Sequence, residues 1–144
     1  MALTYLKSRG LASGVGGKVL QVVTATDLTQ RSTTSTSFVT GSNTLSVTIT
    51  PASSSNKIFI LVTGEAWGSG QRTMYTIYRG STNLGATDGM TESRLDWSTL
   101  AMSYLDSPAT TSATTYQVYF KTNGSTGYLN NFNTSSITAF EIAG

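Results

Sequence analysis

Ile58-Phe59-Ile60-Leu61-Val62 is an unbroken apolar run, with Ser53-Ser54-Ser55-Asn56 before it and Gly64 soon after. A short apolar run bounded by turn residues reads as a strand covered on both faces. Most other segments alternate instead. In Thr44–Thr50, Leu45, Val47 and Ile49 point one way while Ser46 and Thr48 point the other, the pattern of a half-buried strand. One doubly covered strand among many half-buried ones predicts the interior of a β-sandwich.

Working outward, Lys18–Thr24 is apolar on both sides and predicts a first strand covered on both. Pro51 ends Thr44–Thr50, because proline cannot donate to a ladder. Thr44–Thr50 and Lys57–Ala66 then read as an antiparallel pair. Gln71–Arg79, Thr82–Ala86, Leu100–Leu105, Thr114–Lys121, Tyr128–Phe132 and Ile137–Ile142 follow as strands. Asn123-Gly124 is a hairpin signal. Asp27–Ser37 reads as a loop or edge segment and Thr87–Ser98 as a long exposed loop. About eight to ten short strands at roughly 8–12-residue spacing, with no convincing helix, predict an all-β antiparallel sandwich or barrel. The last strand should be pinned inside a sheet or at a subunit axis.

Composition agrees. The 144 residues suit one domain, 38% are apolar, and charged residues are only 11%. Thr, Val, Ile and aromatics favour strands. A net charge of +2 without a Lys/Arg cluster gives no support to nucleic-acid binding. Without Cys there is no disulfide framework or thiolate metal site, and without His the commonest metal ligand and general base are missing. No apolar run is long enough to span a bilayer as a helix. No cofactor is expected.

Residues 1–16 differ from the rest. Leu3, Tyr5, Leu6 and Leu11 surround Lys7 and Arg9, and glycines follow. The segment reads either as a frayed N-terminus or as an arm that orders on a partner. Gly14-Val15-Gly16-Gly17-Lys18 fails as a phosphate-binding loop: Ala12 replaces its first glycine, Val19 its hydroxyl, and the lysine enters a strand. Asp88, Glu92 and Asp96 lie close in sequence, yet nothing fixes the separation that glycosidase or calcium chemistry would need. Trp67, beside Gly68-Ser69-Gly70, and Trp97, in the irregular loop, are the candidate glycan platforms, because flat rings at loop ends stack on sugar faces.

Several stretches together resemble a family of small virion-surface proteins of tailed phages, of the cyanophage and marine-phage type. They are Gly17–Val23, Ser46–Pro51 leading to Lys57–Val62, Tyr78–Thr82 with Leu84-Gly85, Leu105–Thr111, Tyr116–Val118 and Ile137–Ile142. The likeness covers about residues 17–144. It implies a jelly-roll-like knob, similar to the tumour-necrosis-factor and C1q type, packed as a homotrimer and without enzymatic activity. Residues 1–16 would be a docking arm and 17–144 the knob. Because the knob starts soon after Met1, with no fibre shaft before it, the expected role is capsid decoration of the cement or head-fibre type. Leu3, Tyr5, Leu6, Lys7, Arg9 and Leu11 would grip the major capsid protein or another virion protein. Phe140 and Ile142 would bury at the trimer axis. The expected location is the virion surface, after synthesis in the host cytoplasm. The alternative is a tail- or head-fibre tip whose loops around Trp67, Thr87–Ser98 and Asn130–Asn133 bind a host-surface glycan.

Overall fold

The computed structural model describes residues 17–94 and 96–144. Among these, eleven strands follow one another: β1 (Val19–Asp27), β2 (Arg31–Thr33), β3 (Ser46–Ile49), β4 (Lys57–Gly68), β5 (Thr73–Arg79), β6 (Thr82–Asn83), β7 (Thr91–Ser93), β8 (Ser98–Asp106), β9 (Thr114–Thr122), β10 (Gly127–Leu129) and β11 (Ser135–Ile142). All pairings between them are antiparallel. The fold is all-β, as the strand spacing predicts.

Two sheets face each other. The larger has six strands built around β4. One edge of β4 pairs with β8; the other pairs with β11 and then, over its last residues, with β10. β1 lies outside β11 and β2 outside β10. The smaller sheet runs β3–β9–β5, with β6 and β7 sharing the far edge of β5. The core lies between. Ile58, Ile60, Val62, Leu100, Leu129, Ile137 and Ala139 of the large sheet meet Val47, Ile49, Tyr75, Ile77, Tyr116, Val118 and Phe120 of the small one. The final strand β11 lies inside its sheet, between β1 and β4, so the chain end is held.

The run that reads as doubly covered is not. Ile58, Ile60 and Val62 are wholly buried, but Phe59 is half-buried and Leu61 is 37% exposed. The run is apolar on both faces, and the described chain folds no cover over the outer one. The strand buried on both sides is β5, where Thr73 through Ile77 are all buried. No apolar run marks it, because its cover is tertiary. The segment 84–90 runs along its edge, with the Leu84 N–H donating to the Ile77 carbonyl and the Met90 N–H to the Tyr75 carbonyl, and folds onto it so closely that a Cβ on Gly85 would lie 2.6 Å from the Thr76 hydroxyl. Gly89 permits the approach: its φ is +87°, and a Cβ there would lie 2.5 Å from the Tyr75 oxygen.

Four local readings also change. β1 is an edge strand whose outer face shows Val19, Leu20 and Val22 to solvent, so it is not covered twice. β3 and β4 do not pair; they belong to opposite sheets, and the turn after Pro51 carries the chain across the core. Their alternating apolar residues fit because both aim at one core from opposite sides. Asn123-Gly124 likewise turns the chain from β9 in one sheet to β10 in the other and closes no hairpin. Thr87–Ser98 is only partly loop, since Thr91–Ser93 pairs with β5.

Candidate functional site

The outer face of the large sheet carries the side chains that the core does not claim. Along β4 the outward residues are Phe59, Leu61, Thr63, Glu65 and Trp67. They pass from apolar (Phe59, Leu61) through a hydroxyl and a carboxylate to the indole of Trp67.

At the first end, register aligns a row across four strands. Val22 of β1 opposes Phe140 of β11, Phe140 opposes Phe59 of β4, and Phe59 opposes Leu105 of β8. The Phe59 and Phe140 rings lie 6.1 Å apart. Val22 is 54% exposed and Leu105 49%. Ile142 lies on the same outer face, opposite Val19 and Lys57. Cross-strand neighbours on one face pack together, so the row is a continuous apolar ridge. Both candidate axis residues, Phe140 and Ile142, therefore stand on this ridge and are half-buried. A belt of hydroxyls follows: Thr24 with Thr138 at 3.0 Å, and Thr63 with Ser136 at 3.0 Å.

At the other end four aromatic side chains gather. Trp67 stacks on Trp97 with centroids 5.1 Å apart and on Tyr128 at 4.6 Å. Phe132 meets Trp97 edge-on at 6.3 Å and is 83% exposed. The two candidate platform tryptophans, 30 positions apart in sequence, thus touch. They come together because β10 pairs Tyr128 with Trp67 while β8 pairs Ser98, next to Trp97, with Ala66. Their roles differ. Trp97, with Gly64, Glu65, Ser98, Thr99 and Asn133, lines a shallow depression of about 190 Å3, whereas Trp67 backs the cluster.

The turn that presents Phe132 is held tightly. Asn130, buried and left-handed at φ 61°, donates its amide to the carbonyls of Asp27 (3.2 Å) and Thr29 (3.3 Å). Its side-chain oxygen accepts the Ser135 hydroxyl, and its N–H donates to the Glu65 carbonyl at 3.0 Å. The Glu65 carboxylate then accepts the Phe132 N–H at 3.0 Å and the Asn133 amide at 3.3 Å. From the opposite sheet the Tyr75 hydroxyl donates to the Tyr128 carbonyl. The 130–133 loop is legible in the sequence, but the places of Phe132 and Glu65 in the site are not. The signal for Glu65 was its outward place in the β4 alternation.

Each end also has a buried carboxylate on the inner side. Glu141, next to Phe140, accepts from Gln21 Nε2 (2.6 Å), Ala52 N (2.7 Å) and Asn56 Nδ2 (2.5 Å). Burial pushes its carboxyl up, but these donors outweigh burial and hold it below the usual carboxylate range. Asp27 accepts from Thr44 N and Thr29 N, both at 2.9 Å, and from Arg31 Nε at 3.0 Å. Burial again raises it, and again the donors win.

The clustered carboxylates are committed elsewhere. Glu92 is held low by Arg94 and Arg72, Asp88 pairs with Arg72 at 3.4 Å, and Asp96 accepts the Trp97 N–H at 2.9 Å. A depression of about 300 Å3 lies beside them, but its two arginines are the partners of Glu92. Among the described residues no group of His, Cys, Asp or Glu gathers to hold a metal ion. The arm candidates Leu3, Tyr5, Leu6, Lys7, Arg9 and Leu11 lie outside the described residues. No family model matches the chain, and no curated protein matches it.

Proposed function

We propose that the chain is a non-enzymatic structural protein of a tailed-phage virion. In this reading it is a jelly-roll-like knob packed as a homotrimer, decorating the capsid and anchored by residues 1–16 to the major capsid protein or another virion protein. The observation that carries the reading is the ridge Val22–Phe140–Phe59–Leu105 on the outer sheet face. Contiguous exposed apolar patches are uncommon on monomers and mark surfaces that other protein covers. The ridge itself is uncharged, so identical copies meet on it without repulsion. Each Å2 removed from water contributes about 25 cal/mol. Low overall charge and hydroxyl-rich strands suit packing between subunits.

Light scattering over a dilution series tests it. A mass of three chains that persists on dilution supports the knob; a monomer at every concentration overturns the trimer. Removal of residues 1–16 should abolish attachment to shells and leave the knob folded. Truncated knobs that still decorate particles would sink the anchor.

A second reading is a fibre tip that binds a host-surface glycan. It is favoured by the convergence of Trp67, Trp97 and the 130–133 turn at one end of the sheet.

A further inference from the structure

We propose that the depression beside Trp97 binds a single neutral pyranose of a surface glycan, with Phe132 as stacking face and Glu65 and Asn133 as the groups that read its hydroxyls. The inference rests on the glycan reading for its site and adds the class of sugar and the residues that select it. It requires no particular oligomeric state.

Three observations carry it. The first is the cost of presenting Phe132. A phenyl ring that is 83% exposed gains little from burial, yet its turn is fixed by the buried Asn130 amide, the Ser135 hydroxyl and both Glu65 oxygens. Rigid aromatic surface bought in this way is preorganised for a partner, and preorganisation lowers the ordering cost of binding. The second is the company the rings keep. The Trp97 ring lines the depression together with a carboxylate, an amide and the Ser98 and Thr99 residues, and Phe132 adjoins it, edge-on to Trp97 and bonded through its N–H to Glu65, so a ligand here must be apolar on one face and hydroxylated at its edge. A pyranose has that shape: its C–H face stacks on an aromatic ring while its hydroxyls donate and accept. Each carboxylate oxygen carries two lone pairs, so Glu65 retains acceptor sites after holding Phe132 and Asn133.

The third is charge and size. Among the described residues, Glu65 is the one charged residue lining the depression, and no lysine or arginine lines it. A sialic or uronic acid would meet an anion with no cation to balance it, and is rejected. A space of about 190 Å3 is smaller than the usual ligand pocket, which starts near 300 Å3, and suits one ring rather than a chain.

The experiment is an array of neutral hexose- and N-acetylhexosamine-terminated glycans beside sialylated and uronic-acid glycans, probed with the full chain and with Phe132→Ala, Trp97→Ala and Glu65→Gln. Methyl glycosides of neutral hexoses are then titrated in solution while tryptophan emission is followed. The expected result is binding to neutral glycans only, an emission change from Trp97, and a loss of about tenfold or more in Phe132→Ala. Phe132→Ala should keep the wild-type circular dichroism, because the ring is outside the core. Glu65→Gln should weaken binding while Phe132 is still present, and Glu65→Asp should not restore it, since the shorter side chain cannot reach the turn. Binding to anionic glycans alone, lost in Phe132→Ala, would preserve the glycan reading and overturn the neutral-sugar assignment. Neutral binding unchanged in Phe132→Ala would overturn the site. No glycan bound by the wild type would overturn both.

Discussion

The two ends of the outer sheet face share strand β4 and differ in what stands beside their apolar atoms. At the Phe59 end the neighbours are Val22, Phe140 and Leu105, and the ridge has no polar partner in its row. At the Trp67 end the rings stand beside Glu65 and Asn133. The first end can be satisfied only by dry protein; the second can be satisfied by a ligand that keeps its hydroxyls bonded. The inner carboxylates differ in the same sense. Among the described residues Glu141 is held by neutral donors alone, while Asp27 also has the partly exposed Arg31.

The largest effect should separate the ends outright. Leu105→Lys places an unpaired charge in the proposed subunit contact, at about 3–5 kcal/mol, and should convert trimers to monomers by light scattering. Phe132→Lys should leave the mass unchanged. Equal behaviour of the two variants would break the comparison.

Next comes the contrast between neighbours on one strand. Ile60→Ala should cost about 2–5 kcal/mol in denaturant unfolding of the knob, because the residue is wholly buried between the sheets. Leu61→Ala, on the outer face, should cost less than about 1 kcal/mol in the monomeric Leu105→Lys background.

The carboxylates give a smaller, pH-dependent effect. Both are held below their ordinary range in the folded protein. The stability they contribute is therefore full only above about pH 5, beyond the ordinary carboxylate range, and is lost as pH falls through the depressed values. Glu141→Gln, which leaves a buried donor facing donors, should cost about 1–3 kcal/mol at neutral pH and flatten the acid limb of the stability profile. Added salt should weaken the contribution of Asp27 and spare that of Glu141, since only Asp27 pairs with a cation. Equal salt sensitivity in Asp27→Asn and Glu141→Gln backgrounds would contradict this.

The smallest effect concerns the rings. Trp67→Phe should cost about 0.5–1.5 kcal/mol and abolish any exciton couplet in circular dichroism, because Trp97 loses its stacked indole partner. A couplet that survives would mean that the two indoles are not coupled in solution.

The sequence by itself determined the class of fold and most strands, since a period of two is a local property of the backbone. Val47 with Ile49, and Tyr116 with Val118 and Phe120, point inward as their alternation says. Glu141 follows the same rule at the inner position after Ile137 and Ala139. Sequence also picked out Trp67, Trp97 and the 130–133 loop. Tertiary structure decided which sheet each strand joins, and so it separated β3 from β4 and β9 from β10. It decided that the apolar run Ile58–Val62 has a bare outer face while Thr73–Ile77 has none. It also decided that Trp67, Trp97, Tyr128 and Phe132 form one cluster on Glu65. The reason is the same in each case. A strand's own residues fix which side chains share a face, but what covers that face comes from segments distant in sequence, brought there by long-range pairing.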